Sequence, residues 1–149
     1  MKNNPPLSMI KFALRVEDGW PPVALEEIAC IVRDDGIELA DAPLYVKDIS
    51  CGDVIRIDEG SLECVQTWHH VVRSRHTTVW LLRTKTPNNI DSLLDELRAL
   101  GCTTGSLPHF GSYVVDVPGD IPFTRVDEVL ARRDLESVAV AFPSFRHPE

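Results

Sequence analysis

Along the first half of the chain, short runs alternate apolar and polar side chains and are cut by turn residues, the pattern of a small antiparallel sheet or barrel. Lys11-Phe12-Ala13-Leu14-Arg15-Val16 alternates in this way and ends at Glu17-Asp18-Gly19. Ala24-Leu25-Glu26-Glu27 alone would suit a helix. The hairpin signal Arg33-Asp34-Asp35-Gly36, leading into Ile37-Glu38-Leu39, instead favours a strand over Glu27–Val32. Val54–Ile57 and Leu62–Trp68 flank Asp58-Glu59-Gly60-Ser61, which predicts a second hairpin turning at those four residues.

The second half changes period. Thr77-Thr78-Val79-Trp80-Leu81-Leu82 is strongly β-prone, and Thr86-Pro87-Asn88-Asn89 then offers Asn88 or Asn89 as a helix cap. The next segment sets Ile90, Leu93, Leu94, Leu97 and Leu100 on one helical face and stops at Gly101. Strands follow at Cys102–Leu107 and Ser112–Val117, joined near His109-Phe110-Gly111. Thr124–Arg133 is a second amphipathic helix with Val126, Val129 and Leu130 inward, and Ser137–Phe142 is a last strand. The order strand, helix, strand, strand, helix, strand implies an antiparallel sheet with both helices on one face, the ferredoxin-like arrangement. The expected fold class is therefore α+β. It comprises a β-rich, barrel-like part over residues 11–75 and a ferredoxin-like part over 76–143, with a disordered N-terminus at 1–10 and a tail at 144–149. The composition shift at Arg73-Ser74-Arg75-His76 marks the boundary.

At 149 residues and 44% hydrophobic, the chain can bury a real core, and its net charge of −8 narrows the partners. Strong acidity opposes the phosphate contacts that dominate nucleic-acid binding and opposes adhesion to anionic membranes. A protein partner with a basic or neutral face is the easier one. Met1–Leu7 holds one cation and no apolar core of a leader, and no later run approaches the ~18 apolar residues of a membrane span. These features point to the cytoplasm. The cysteines at 30, 51, 64 and 102 form no Cys-x-x-Cys pair and read as free thiols.

Candidate chemistry is sparse. Asp18-Gly19-Trp20-Pro21-Pro22-Val23 is a rigid corner, and Gly52-Asp53 is a turn entering a β-branched strand. Trp68-His69-His70 with His76 is the densest group of potential ligands or bases. On one strand, however, His69 and His70 point to opposite faces, and no zinc-finger or His-Glu-x-x-His spacing accompanies them. No metal and no cofactor are expected. Asp18 and Asp53, set in turns, suit bonds to local amides, although either could pair with His76 or another histidine for acid–base work. No Gly-x-Ser-x-Gly elbow or phosphate loop occurs. Trp20, Tyr45 and Trp68 are the residues best suited to anchor a binding surface.

Several of these pieces resemble a bacterial family catalogued as domain of unknown function 4265, in order from about Phe12 to Phe142. They are Asp18–Val23, Pro43-Leu44-Tyr45, Gly52-Asp53-Val54, Ser74 with His76 and Thr78, Leu97–Cys102, and Val115-Asp116-Val117-Pro118. The chain departs from the family pattern Asn-x-Pro-Phe with Asp41-Ala42-Pro43-Leu44. The resemblance implies the architecture and no particular activity. The expected function is that of a noncatalytic protein-binding module, such as a toxin-neutralising or enzyme-inhibiting partner, with Asp18, Trp20, Tyr45, Asp53, Trp68 and His76 at its binding sites. The alternatives are a small hydrolase-like enzyme using a His/Asp pair and a metabolite-binding sensor.

Overall fold

The computed structural model describes residues 6–85 and 90–148, and the expected caps Asn88 and Asn89 lie outside them. The chain is an α+β protein, mostly strand with two helices, and it divides into compact units at Ser74/Arg75.

In the first unit, β1 (Ser8–Ala13), β2 (Leu25–Arg33), β3 (Gly36–Leu39), β4 (Val54–Ser61) and β5 (Cys64–Val72) pair antiparallel in chain order. One parallel bridge, Phe12 opposite Val65, leads from β5 back to β1. Alternation decides what is buried: Ile10 and Phe12 of β1 meet Ile28 and Cys30 of β2 in one cluster with Leu39, Ile55 and Val65. Two expectations change here. The N-terminal strand begins at Ser8, because Ile10 continues the inward phase of Phe12, so residues 8–10 are ordered β-structure rather than a disordered end. The second hairpin turns at Leu62-Glu63, since Ser61 pairs with Cys64. Asp58–Ser61 instead lie in β4, where Gly60 at φ 105° sits in a bulge; a Cβ there would lie 2.1 Å from the Cys64 carbonyl oxygen.

In the second unit, β6 (Thr77–Arg83), β7 (Thr103–Leu107), β8 (Ser112–Val117) and β9 (Val138–Ser144) form an antiparallel sheet in the order β7-β8-β6-β9. Helices α1 (Ile90–Ala99) and α2 (Phe123–Leu130) bury Leu93, Leu94, Leu97, Val126, Val129 and Leu130 in one cluster with Val79, Leu81, Val115 and Val117 of β6 and β8. The expected tail is fixed as far as His147. The Thr77 hydroxyl accepts the backbone N–H of Arg146 and His147 at 2.8 and 3.2 Å, and the His147 ring lies 2.6 Å from the same hydroxyl. The other ring nitrogen, Nε2, donates to the Pro118 carbonyl at 3.0 Å. A carbonyl can only accept, so Nε2 carries the hydrogen, and the Thr77 hydroxyl, whose oxygen already accepts two amides, donates to Nδ1. Among the described residues no helix is long and apolar enough to cross a membrane.

Candidate functional site

Two arrangements in the first unit hold most of the candidate residues. The first is the aromatic corner. Asp18 and Gly19 take positive φ of 54° and 77°, and Glu17 and Trp20 close the turn with reciprocal backbone hydrogen bonds of 2.9 and 3.0 Å. The Trp20-Pro21 peptide is cis. Trp20 is left 48% exposed, its ring edge-on to Tyr45 at 5.7 Å, whereas Tyr45 is only 8% exposed.

Glu26 holds Tyr45 in place, a role the sequence reading missed. Its Oε1 accepts the amides of Tyr45 and Val46 at 2.9 and 3.1 Å, and its Oε2 accepts that of Leu44. Burial pushes this carboxyl above its usual range, and the three amides pull the other way. The signal was the phase of β2, in which Glu26 shares the inward side with Ile28 and Cys30.

The second arrangement is centred on Asp53. Its Oδ1 accepts the Ser74 amide at 2.7 Å, while Oδ2 accepts the Ser50 amide and His70 Nε2, each at 3.0 Å. Ser74 also donates its hydroxyl to the Cys51 carbonyl at 2.6 Å. A register shift between Val54 and Ile55 places Val72 and then His70 opposite them, so His70 turns inward beside Ile55. The Trp68 ring lies 5.1 Å from His70 and 6.3 Å from Phe12, half-buried against the core. His69, on the other face, is exposed and lies 2.7 Å from Asp58.

These positions correct part of the expected binding set. Trp68 is half-buried and packs on Phe12 and His70, whereas Asp53 is fully buried and Tyr45 nearly so, and neither of these two presents a surface to a partner. Trp20 and Asp18 do. Asp53 pairs with His70 rather than His76, because the turn at 50–53 and strand β5 belong to one hydrogen-bonded knot.

His76 lies in the second unit, 29% exposed at its side chain, with Nδ1 2.8 Å from Oδ1 of the buried Asp116. Thr103 donates to the other oxygen at 3.3 Å. Asp116 was legible as a lone acid in the apolar run Tyr113–Val117. A histidine held by a carboxylate is equipped to accept or deliver a proton. The cysteines are unbridged. Burial, with Asp116 adding a smaller push, raises the Cys102 thiol to about 11, so in the folded protein a thiolate-selective alkylating reagent near neutral pH should spare Cys102 and react first at the half-exposed Cys51 and Cys64. Mass mapping of the adducts checks this. Early modification of Cys102 would contradict its placement.

Among solved structures, one titled as a novel crystal structure of a hypothetical protein from Neisseria gonorrhoeae is similar, with a TM-score of 0.71 at 13% identity, covering 98% of this chain and 100% of that one. The likeness is one of fold. No curated protein matches the chain at a significant level. Residues 26–140 match the family model described as Domain of unknown function (DUF4265), and the chain belongs to that family.

Proposed function

We propose that the chain is a noncatalytic protein-binding module of the bacterial cytoplasm, anchored by Trp20 and suited to a partner with a basic face, as in toxin neutralisation or enzyme occlusion. The observation that carries this reading is the presentation of Trp20. A large indole stands half-exposed on a corner whose backbone is closed by its own hydrogen bonds, against a tyrosine whose loop is tied by Glu26. An anchor ordered in advance loses little entropy on binding, and tryptophan is among the residues that carry most interface energy. Exposed Asp18 beside it and the net charge of −8 favour encounter with a basic surface. The carboxylate of Asp53, saturated by internal donors, acts as a structural tie in this reading.

We infer the ferredoxin-like arrangement for the second unit, supported by its strand order, antiparallel pairing and shared helix core. The parallel bridge at Phe12 supports a barrel-like curl in the first.

The test is capture on immobilised chain from the native host, wild type against Trp20→Ala. The wild type should retain a defined protein, and the variant should bind it weaker by at least about 2 kcal/mol, roughly thirtyfold, with an unchanged unfolding transition. Association should slow as salt rises. Equal retention by the variant would remove Trp20 as anchor. Turnover of a metabolite by the pure protein, abolished by His76→Ala, would replace the reading with an enzymatic one built on the His76–Asp116 pair.

A further inference from the structure

An open sheet has two edges, and those of the second unit are β7 and β9. They are finished differently. β7 is five residues long, and Arg98 of α1 donates to the hydroxyl of its Thr104 at 2.9 Å. β9 has seven residues, and none from Ser137 to Phe145 is charged, in a chain of which 26% is charged. An edge strand presents unpaired peptide groups, which proteins shield with lysines, prolines, bulges or covering side chains. β9 is shielded only toward its ends. At its start the Val138 N–H donates to the Asp134 carbonyl at 2.9 Å, and the Val138 carbonyl accepts Arg133 Nε at 3.3 Å. Toward its end the ladder with β6 shifts register, and Pro143 has no N–H to offer. The peptide groups of Val138 therefore turn away from β6, and alternation turns those of Val140 the same way.

Beside this edge lies a hollow of about 420 Å³ lined by Leu130, Ala131, Val140 and Phe142, with Asp127 and Arg133. The two charges stand at opposite ends of it. Arg133 belongs to the Val138 end through its bond to that carbonyl. The other end carries Phe142, which is 45% exposed and held edge-on to Phe123 and Phe145, each at 5.9 Å. Phe123 opens α2, and Asp127 follows it one helical turn later. Among the described residues neither Asp127 nor Arg133 forms an ion pair.

We propose that β9 is the contact through which two copies of this chain associate, antiparallel about a two-fold axis at Val140, so that two four-stranded sheets join into one. Symmetry and charge identify the occupant. Two identical strands laid antiparallel are complementary to each other under a two-fold axis. Val140 exchanges N–H···O=C bonds with the partner's Val140, and Phe142 of each copy falls opposite Val138 of the other. There its ring enters the other copy's hollow, beside Val140 and Leu130. The same rotation carries the Arg133 end of each copy onto the Asp127 end of the other, so opposite charges meet twice. The proposal concerns the second unit and does not rest on the role of Trp20.

Sedimentation equilibrium of the full-length chain over a concentration series, with backbone amide exchange at both ends of the series, tests it. The wild type should pass reversibly from monomer to dimer and no further, because pairing uses up the edge. Exchange at Val140 should slow as the dimer fills, while Thr104 and Ser106 on β7 keep their rates. Ala141→Lys alters an exposed side chain, leaves the pairing with β6 in place and sets two lysines beside the axis, so dimerisation should weaken at least tenfold. Asp127→Arg, on the exposed side of α2, sets like charges against Arg133 and should weaken it several-fold. Both variants should unfold at the same denaturant concentration as the wild type. Three outcomes overturn the proposal: a monomer at every concentration up to about 500 µM, larger assemblies with slowed exchange on β7, or a dimer that either variant leaves at full strength.

Discussion

Replacing Asp53 with alanine is expected to destabilise the first unit by about 3–5 kcal/mol, the range found when one member of a buried polar pair is removed. The cause is what the carboxylate leaves behind. Donors converge on it, among them the Ser50 and Ser74 amides and His70 Nε2. Asp53 is fully buried, so water does not replace it cheaply. Asp53→Asn should cost less, about 1–3 kcal/mol. Its single carbonyl oxygen can serve Ser74, and a change of His70 tautomer lets the ring accept from the new amide, but the Ser50 amide still loses its acceptor. Urea unfolding followed by the fluorescence of the three tryptophans, Trp20, Trp68 and Trp80, with amide exchange to assign the loss to residues 50–74, measures both variants. A loss under about 1 kcal/mol for Asp53→Ala would show that the knot does not hold the unit together.

The same residue shows how far the sequence could be read. Gly52-Asp53 before a β-branched strand announces a turn, and turn chemistry correctly suggests that the aspartate bonds local amides. Its second partner is seventeen residues away, and choosing His70 over His76 depends on a register shift in the β4–β5 ladder. A one-residue slip in an antiparallel pair exchanges the two faces, so the bulge decides whether His69 or His70 looks inward. No local pattern fixes that. The hairpin at Leu62-Glu63 was misplaced for a related reason: Asp58-Glu59-Gly60-Ser61 has the composition of a turn, yet its glycine serves a bulge inside the strand.

The aromatics divide along similar lines. The corner at Asp18–Pro22 was legible because glycine, two prolines and a tryptophan act over neighbouring residues. That Tyr45 would lie beneath Trp20 depends on Glu26 reaching across to three amides of a distant loop, a contact set by tertiary packing. The helices were the easiest elements to place, since a stripe repeating every three or four residues leaves one side to bury. The C-terminal end was the hardest, because its partners, the Thr77 hydroxyl and the Pro118 carbonyl, lie some seventy and thirty residues earlier.

The second large effect is expected at Leu97, on the buried stripe of α1 and fully shielded from solvent. Leu97→Ala should cost about 2–5 kcal/mol, combining lost transfer of the side chain from water with the cavity left in the shared core. Residues of both helices and of β6 and β8 line that core, so the space cannot close by moving one side chain. Leu97 also accepts the Cys102 amide at 3.2 Å through its carbonyl, so its backbone closes the helix end that leads into β7. The substitution keeps that carbonyl and tests packing alone. The exposed neighbour Glu96→Ala, which removes only the surface pair with Arg132, should stay within about 1 kcal/mol of wild type. Denaturant unfolding of the two variants side by side decides the matter. A Leu97→Ala loss below about 0.5 kcal/mol, or one matched by Glu96→Ala, would mean that α1 does not bury the face that its hydrophobic pattern assigns to it.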